Sequence, residues 1–189
     1  MQSTQIFGNF IEPEVEQEYL TIRFSPISLP LQQRWRHNGL SADFLAEYWA
    51  SFFPAGDAVM QARRLEVKGA ISYIANELLE NVMKFSYLPV NYAVTLELCL
   101  HTDVFRFYTC NAIAPHAVGE FQERIRTLLT QDVADLYIQQ VEDNALDGAG
   151  SHLGLLTMLY DYGATLAWRF KFTNQPDLVV LTTMVCLRI

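Results

Sequence analysis

The chain has 189 residues, 51% of them hydrophobic and 18% charged, with a net charge of −8 and a pI near 4.9. That length suffices for one folded domain over residues 1–189 with a sizeable core, and the composition excludes a disordered chain. The acidic balance argues against nucleic acid as the main partner; no apolar run nears the ~20 residues of a membrane span, and the N-terminus MQSTQIFGNFIEPEVEQEYL lacks the basic-then-apolar order of a secretion signal, so a cytoplasmic protein is expected.

Residues 17–24, QEYLTIRF, have the pattern of a first strand. Pro26 and Pro30 interrupt the chain after it, so residues 1–40 are expected as an N-terminal strand and irregular segment ahead of a core at 41–189. Asn38-Gly39 predicts a turn, and Ser41 an N-cap for a short helix, ADFLAEYWASFF, closed by Pro54 and Gly56. A long helix is predicted from about Asp57 to Phe85, because Val67, Ile71, Ile74, Leu78, Val82 and Phe85 recur at threes and fours.

Residues 92–100 and 104–110 alternate polar and apolar positions and predict an antiparallel hairpin. Helices are expected at 117–130, with Phe121, Ile125 and Leu128 inward, and at 132–142. DNALDGAGS, residues 143–151, reads as a flexible loop; LGLLTMLYDY comes next as a helix stopped by Gly163. Two last strands, 164–173 and 178–187, flank Asn174-Gln175-Pro176. This order predicts an α/β protein, a two-layer sandwich whose mixed, mostly antiparallel sheet carries helices on one face. Cys99, Cys110 and Cys186 fall in strand-like runs and read as small core residues of a reducing compartment. His37, His101, His116 and His152 show no ligand spacing.

Two features carry possible chemistry. Glu77, Asn81 and Lys84, spaced by four and then three, share one stripe of the long helix. Such a stripe is either a solvated face or the floor of a site. The second feature is Gly148-Ala149-Gly150-Ser151-His152-Leu153-Gly154-Leu155, a glycine loop entering a helix. Glycines at such a junction let backbone N–H groups approach an anion, which the helix N-terminus favours; an ordinary connection has the same look.

Together with the strand order, these features resemble the GHKL (histidine kinase-like) ATPase superfamily over residues 40–189. Its E-x-x-x-N motif looks like Glu77-Leu78-Leu79-Glu80-Asn81. Its G-x-G-L-G-L box looks like Gly148-Ala149-Gly150, followed after Ser151 and His152 by Leu153-Gly154-Leu155. The full chain, including GLSADFLAEYW, looks most like the SiaB-type group, which is similar to anti-sigma-factor serine kinases. The resemblance implies a Bergerat-type sandwich with ATP and Mg²⁺ as cofactors. It implies Glu77 as the catalytic base, Asn81 as the metal ligand, Lys84 with Gly148, Gly150, Leu153 and Gly154 around the phosphates, and Asn111 at the base. An amide oxygen suits Mg²⁺, and a carboxylate one turn earlier can polarise a hydroxyl. The implied role is partner switching: phosphorylation of Ser or Thr on a STAS-domain anti-sigma-antagonist-like protein, with a PP2C-type phosphatase in the same pathway.

The pattern departs at Thr109-Cys110-Asn111-Ala112-Ile113-Ala114-Pro115, where the family carries D-x-G-x-G. Asn111 replaces the Asp, and both glycines are absent; an amide oxygen still accepts a hydrogen bond, but without charge. Phe85 stands where a histidine often ends the Asn motif, and the glycine box holds two extra residues. These departures motivate the alternative of a non-catalytic protein-binding module with a degenerate nucleotide site. Phe44, Tyr48, Trp49 and Phe52 are candidates either for a homodimer interface or for the core, and the other tryptophans, Trp35 and Trp168, read as core or interface anchors. Arg34 and Arg36 beside Trp35 form a small basic cluster, read as surface or as a contact for an acidic partner.

Overall fold

The computed structural model describes residues 3–13, 18–27, 31–53, 56–147, 153–175 and 178–189, without side-chain detail at 31–36 and 146–147. Six strands form one sheet: β1 Ser3–Phe7, β2 Tyr19–Phe24, β3 Val94–His101, β4 Val104–Ile113, β5 Thr165–Phe172 and β6 Val179–Arg188. Their order is β1-β5-β6-β4-β3-β2, and every neighbouring pair is antiparallel, where a mixed, mostly antiparallel sheet was expected. The helices are α1 Leu31–Ala50, α2 Ala58–Phe85, α3 Val118–Thr130, α4 Val133–Asp147 and α5 Leu153–Tyr160. They cover one face of the sheet, as the two-layer α/β expectation requires.

Strand alternation assigns the faces. Along β4, Phe105 and Phe107 enter the main core with Leu96 and Leu98 of β3 and Leu181, Val185 and Leu187 of β6. Val67, Ile71, Ile74, Leu78 and Leu79 of α2 close that core from above, with Leu45 and Trp49 of α1. Trp49 meets Phe105 edge-on at 5.5 Å, a geometry worth about 0.5–1.5 kcal/mol beyond the area buried. The opposite face carries a small second cluster of Cys99, Tyr108, Ala167 and Met184. Residues 9–13 strap across it: the Tyr108 hydroxyl donates to the Ile11 carbonyl at 3.0 Å, and Arg169 pairs with Glu12 while lying 4.8 Å from the Phe10 ring centre. Gly8 makes the turn into this strap at φ 76°, where a Cβ would sit 2.7 Å from the Leu166 carbonyl oxygen.

Several boundaries depart from the sequence reading. β1 was not anticipated; it pairs Ser3–Phe7 with β5 at the sheet edge. The expected turn at Asn38-Gly39 and cap at Ser41 are absent, because α1 runs unbroken from Leu31. Packing explains the override. Asn38 is buried within the helix, and α1 is held along α2 by Lys68 to Glu47 and by the Ser72 hydroxyl donating to Asp43 at 2.9 Å. Local turn propensity is a weaker term than such a tertiary seam. α4 continues to Asp147, so the first half of the expected 143–151 loop is helical; Asp132 starts the helix by accepting from the Ala134 and Asp135 amides.

Trp49 is wholly buried in the core and is excluded as an interface residue, and Tyr48 is half-buried with its hydroxyl donating to Glu18 at 2.7 Å. Phe44 and Phe52 remain exposed. The side chains of Arg34, Trp35 and Arg36 lie outside the described residues. The cysteines are free; Cys99 is buried, while Cys110 and Cys186 are half-buried. Among the described residues, no helix is long and apolar enough to cross a membrane.

Candidate functional site

α2 turns its polar stripe toward a cavity, with Glu77 and Asn81 half-buried against it and Lys84 exposed at its edge. Asp57 caps the helix by accepting from the Val59 and Met60 amides. At the far end Ser86 N–H closes onto Val82 O, and Tyr87 N–H donates to Ala112 O at 2.8 Å. That last bond draws the end of α2 against the end of β4. Between them, α3, α5 and the sheet enclose a cavity of about 290 Å³, near the lower end of the range for small-molecule sites.

Glu77, Asn81, Lys84, Asn111 and Gly154 all line this cavity. They come from α2, β4 and α5, so the fold gathers residues far apart in the chain. Leu153 opens α5 but is not part of the lining, where Leu155 stands instead. Gly148 and Gly150 lie outside the described residues. Phe85, expected inward as the last core position of α2, is 54% exposed at the cavity lip because the helix ends there. Asn111 belongs to β4 rather than to a loop after it, since β4 pairs with β6 as far as Ile113 opposite Val179.

Glycine at 154 has a steric reason. A methyl there would overlap the Glu77 carboxylate oxygen Oε2 and lie 2.9 Å from its Cδ. The glycine therefore lets α5 settle directly over Glu77. Two stacked tyrosine pairs hold α5 in that place, Tyr73 on Tyr162 at 5.1 Å and Tyr137 on Tyr160 at 4.8 Å. Gly163, at φ 59°, ends the segment as expected, with Ala164 N–H returning to Met158 O.

Burial pushes the Glu77 carboxyl above its usual pKa; the Glu80 charge adds to this and Lys84 opposes it. Lys84 itself pairs with Glu80 at 3.8 Å. A raised acid pKa means that the folded protein keeps a proton the unfolded chain would release. The stabilisation is then complete below the ordinary value of 4.5 and lost as pH rises through the raised value. Glu77→Gln is accordingly expected to gain stability on the wild type as pH is raised from below 4.5 to neutrality, in urea melts recorded across that window. Parallel pH profiles would show that Glu77 is solvated.

Deeper in, the lining is mostly apolar: Phe121, Ile113, Leu155, Leu181 and Trp168. A polar row crosses its floor. Thr109 pairs in register with Thr183, and Thr183 with Trp168. Asn111 donates its amide N–H to Ala112 O at 3.2 Å, which leaves its side-chain oxygen as an acceptor. The Trp168 indole N–H is buried and has no hydrogen-bond partner among the described residues. Sequence reasoning passed over Thr109, Thr183, Glu120 and Arg124. Thr109 was readable in principle, two residues before Asn111 on the same strand face; the others depend on register and helix placement.

An α/β sandwich with one antiparallel sheet, helices on one face and a cavity between the layers is the class of protein that this fold and site define. No protein-family model matches the chain, and no curated protein matches it in sequence. Among solved structures, the chain is similar to one in the SiaB–SiaC complex from Pseudomonas aeruginosa, with a TM-score of 0.56 and 16% identity over 92% of each chain. That likeness extends over nearly the whole fold.

Proposed function

We propose that this chain is a signalling regulator of the partner-switching kind. It binds ATP with Mg²⁺, weakly or conditionally, and acts on a STAS-like protein in the manner of the anti-sigma-factor serine kinases it resembles. The observation that carries the reading is the convergence of Glu77, Asn81, Lys84, Asn111 and Gly154 on one cavity. The solved complex supports a protein partner, since its similar chain comes from an assembly of two proteins.

The residues present fit the cofactor in kind. Mg²⁺ on nucleotides is held by one or two protein oxygens plus the substrate phosphates rather than by a full protein cage, and the Asn81 amide oxygen is the candidate here. The acceptor of Asn111, set among apolar walls, suits a planar heteroaromatic base. A buried carboxylate with raised pKa, Glu77, is suited to take a proton from a hydroxyl near neutral pH.

Isothermal titration with Mg-ATP tests this. The wild type should bind, and Asn81→Ala should weaken binding by at least about tenfold, or ~1.4 kcal/mol. The absence of both heat and thermal shift at millimolar nucleotide would remove the kinase reading and leave the non-catalytic protein-binding module with a degenerate site.

A further inference from the structure

The cavity wall holds a cation that the family motifs do not account for. Arg124, on α3, lines the cavity and is half-buried. No described residue hydrogen-bonds or ion-pairs with it; the same holds for half-buried Arg64 on α2, but Arg124 is the one that lines the cavity. Arg126, two positions on, pairs with Glu123 at 2.7 Å and lies 5.5 Å from the Phe7 ring centre. Arg63 pairs with Glu66, Arg169 with Glu12, and Lys84 with Glu80. Glu120, one turn earlier on α3, shares the wall without reaching ion-pair distance, and Glu77 and Lys84 line the same cavity from α2. Burial lowers the Arg124 pKa from its usual value, with the Glu120 charge working against that; a guanidinium stays charged regardless.

A half-buried charge that no described residue pairs with is only partly compensated by solvent. A guanidinium offers parallel N–H donors that match two oxygens of a phosphate, which an ammonium such as Lys84 does not. We infer that Arg124 anchors an anionic phosphate or polyphosphate group in the cavity between α2 and α3. This deepens the nucleotide reading by naming the side chain that holds the phosphates. It rests on that reading for the ligand's identity, not for the presence of an anion site.

The test compares the wild type with Arg124→Gln, Arg124→Lys and the surface control Arg126→Gln, by thermal shift and titration with sodium pyrophosphate, Mg-ATP and adenosine. Pyrophosphate should stabilise the wild type and Arg126→Gln. Arg124→Gln should bind it about tenfold or more weakly, while melting without ligand close to the wild type, because the half-buried guanidinium has no partner among the described residues to lose. Arg124→Lys keeps the charge, loses the fork, and should fall between; it is read in place of Arg124→Gln if that variant does not fold. Equal pyrophosphate and Mg-ATP affinity in the wild type and Arg124→Gln overturns the inference and leaves the nucleotide reading standing. Pyrophosphate binding that depends on Arg124, with no response to Mg-ATP or adenosine, upholds the anion anchor and removes the nucleotide. No response to any of the three probes removes both.

Discussion

Trp168→Ala is expected to lower the unfolding free energy by about 3–5 kcal/mol and the melting temperature by roughly 6–20 °C, at about 2–4 °C per kcal/mol for a chain of this size. Trp168 is wholly buried, pairs in register with Phe7 on one side and Thr183 on the other, and forms part of both the main core and the cavity wall. Truncation removes the ring from the core and merges the space it leaves with an existing cavity, so the surroundings have little scope to close over it. Trp168→Phe is the informative companion. It keeps an aromatic ring and deletes an N–H that has no partner, an unsatisfied donor worth about 1–3 kcal/mol of penalty. The Phe variant should therefore lose far less than the Ala variant in thermal melts followed by circular dichroism. A loss below about 1 kcal/mol for Trp168→Ala would contradict full burial.

The contrast between that position and α2 explains which features the sequence made legible. The stripe from Val67 to Val82 is buried as its spacing predicts, because a helix 28 residues long samples its period many times. Glu77, Asn81 and Lys84 were visible as a line for the same reason. That the line faces a cavity was not visible, since it depends on Tyr87 tying the helix end to β4 and on α5 crossing above. β1 is five residues long with four exposed side chains, so it has almost no burial pattern to read. The start of α1 was misplaced because Asn38-Gly39 is a strong local turn signal, outweighed by contacts with α2 distant in sequence. Arg124 and Arg126 look alike in the chain; two positions apart on a helix, they point to different sides, and only the placement of α3 decides which meets the cavity.

Gly154 shows a residue singled out for one physical reason and placed by another. Its motif suggested a backbone made accessible to phosphate, whereas the structure gives the missing Cβ the task of admitting the Glu77 carboxylate. Gly154→Ala separates the two roles. Alanine favours a helix over glycine by up to ~1 kcal/mol, although near the first turn of α5 the gain is smaller. Against this, the methyl must displace Oε2 and Cδ of Glu77. The carboxylate is the far end of a flexible side chain, so the fold should survive and the carboxylate should move. In a Glu77→Ala background the obstacle is gone, and Gly154→Ala should become stabilising. A double-mutant cycle by urea denaturation is expected to show a coupling of about 0.5–3 kcal/mol between the two sites. The Gly154→Ala protein should also lose the Glu77-dependent pH slope, because eviction from the buried position removes the main cause of its raised pKa. Additivity within about 0.3–0.5 kcal/mol, with the pH slope unchanged, would mean that α5 does not roof Glu77, and the convergence on which the proposed nucleotide site depends would fail with it.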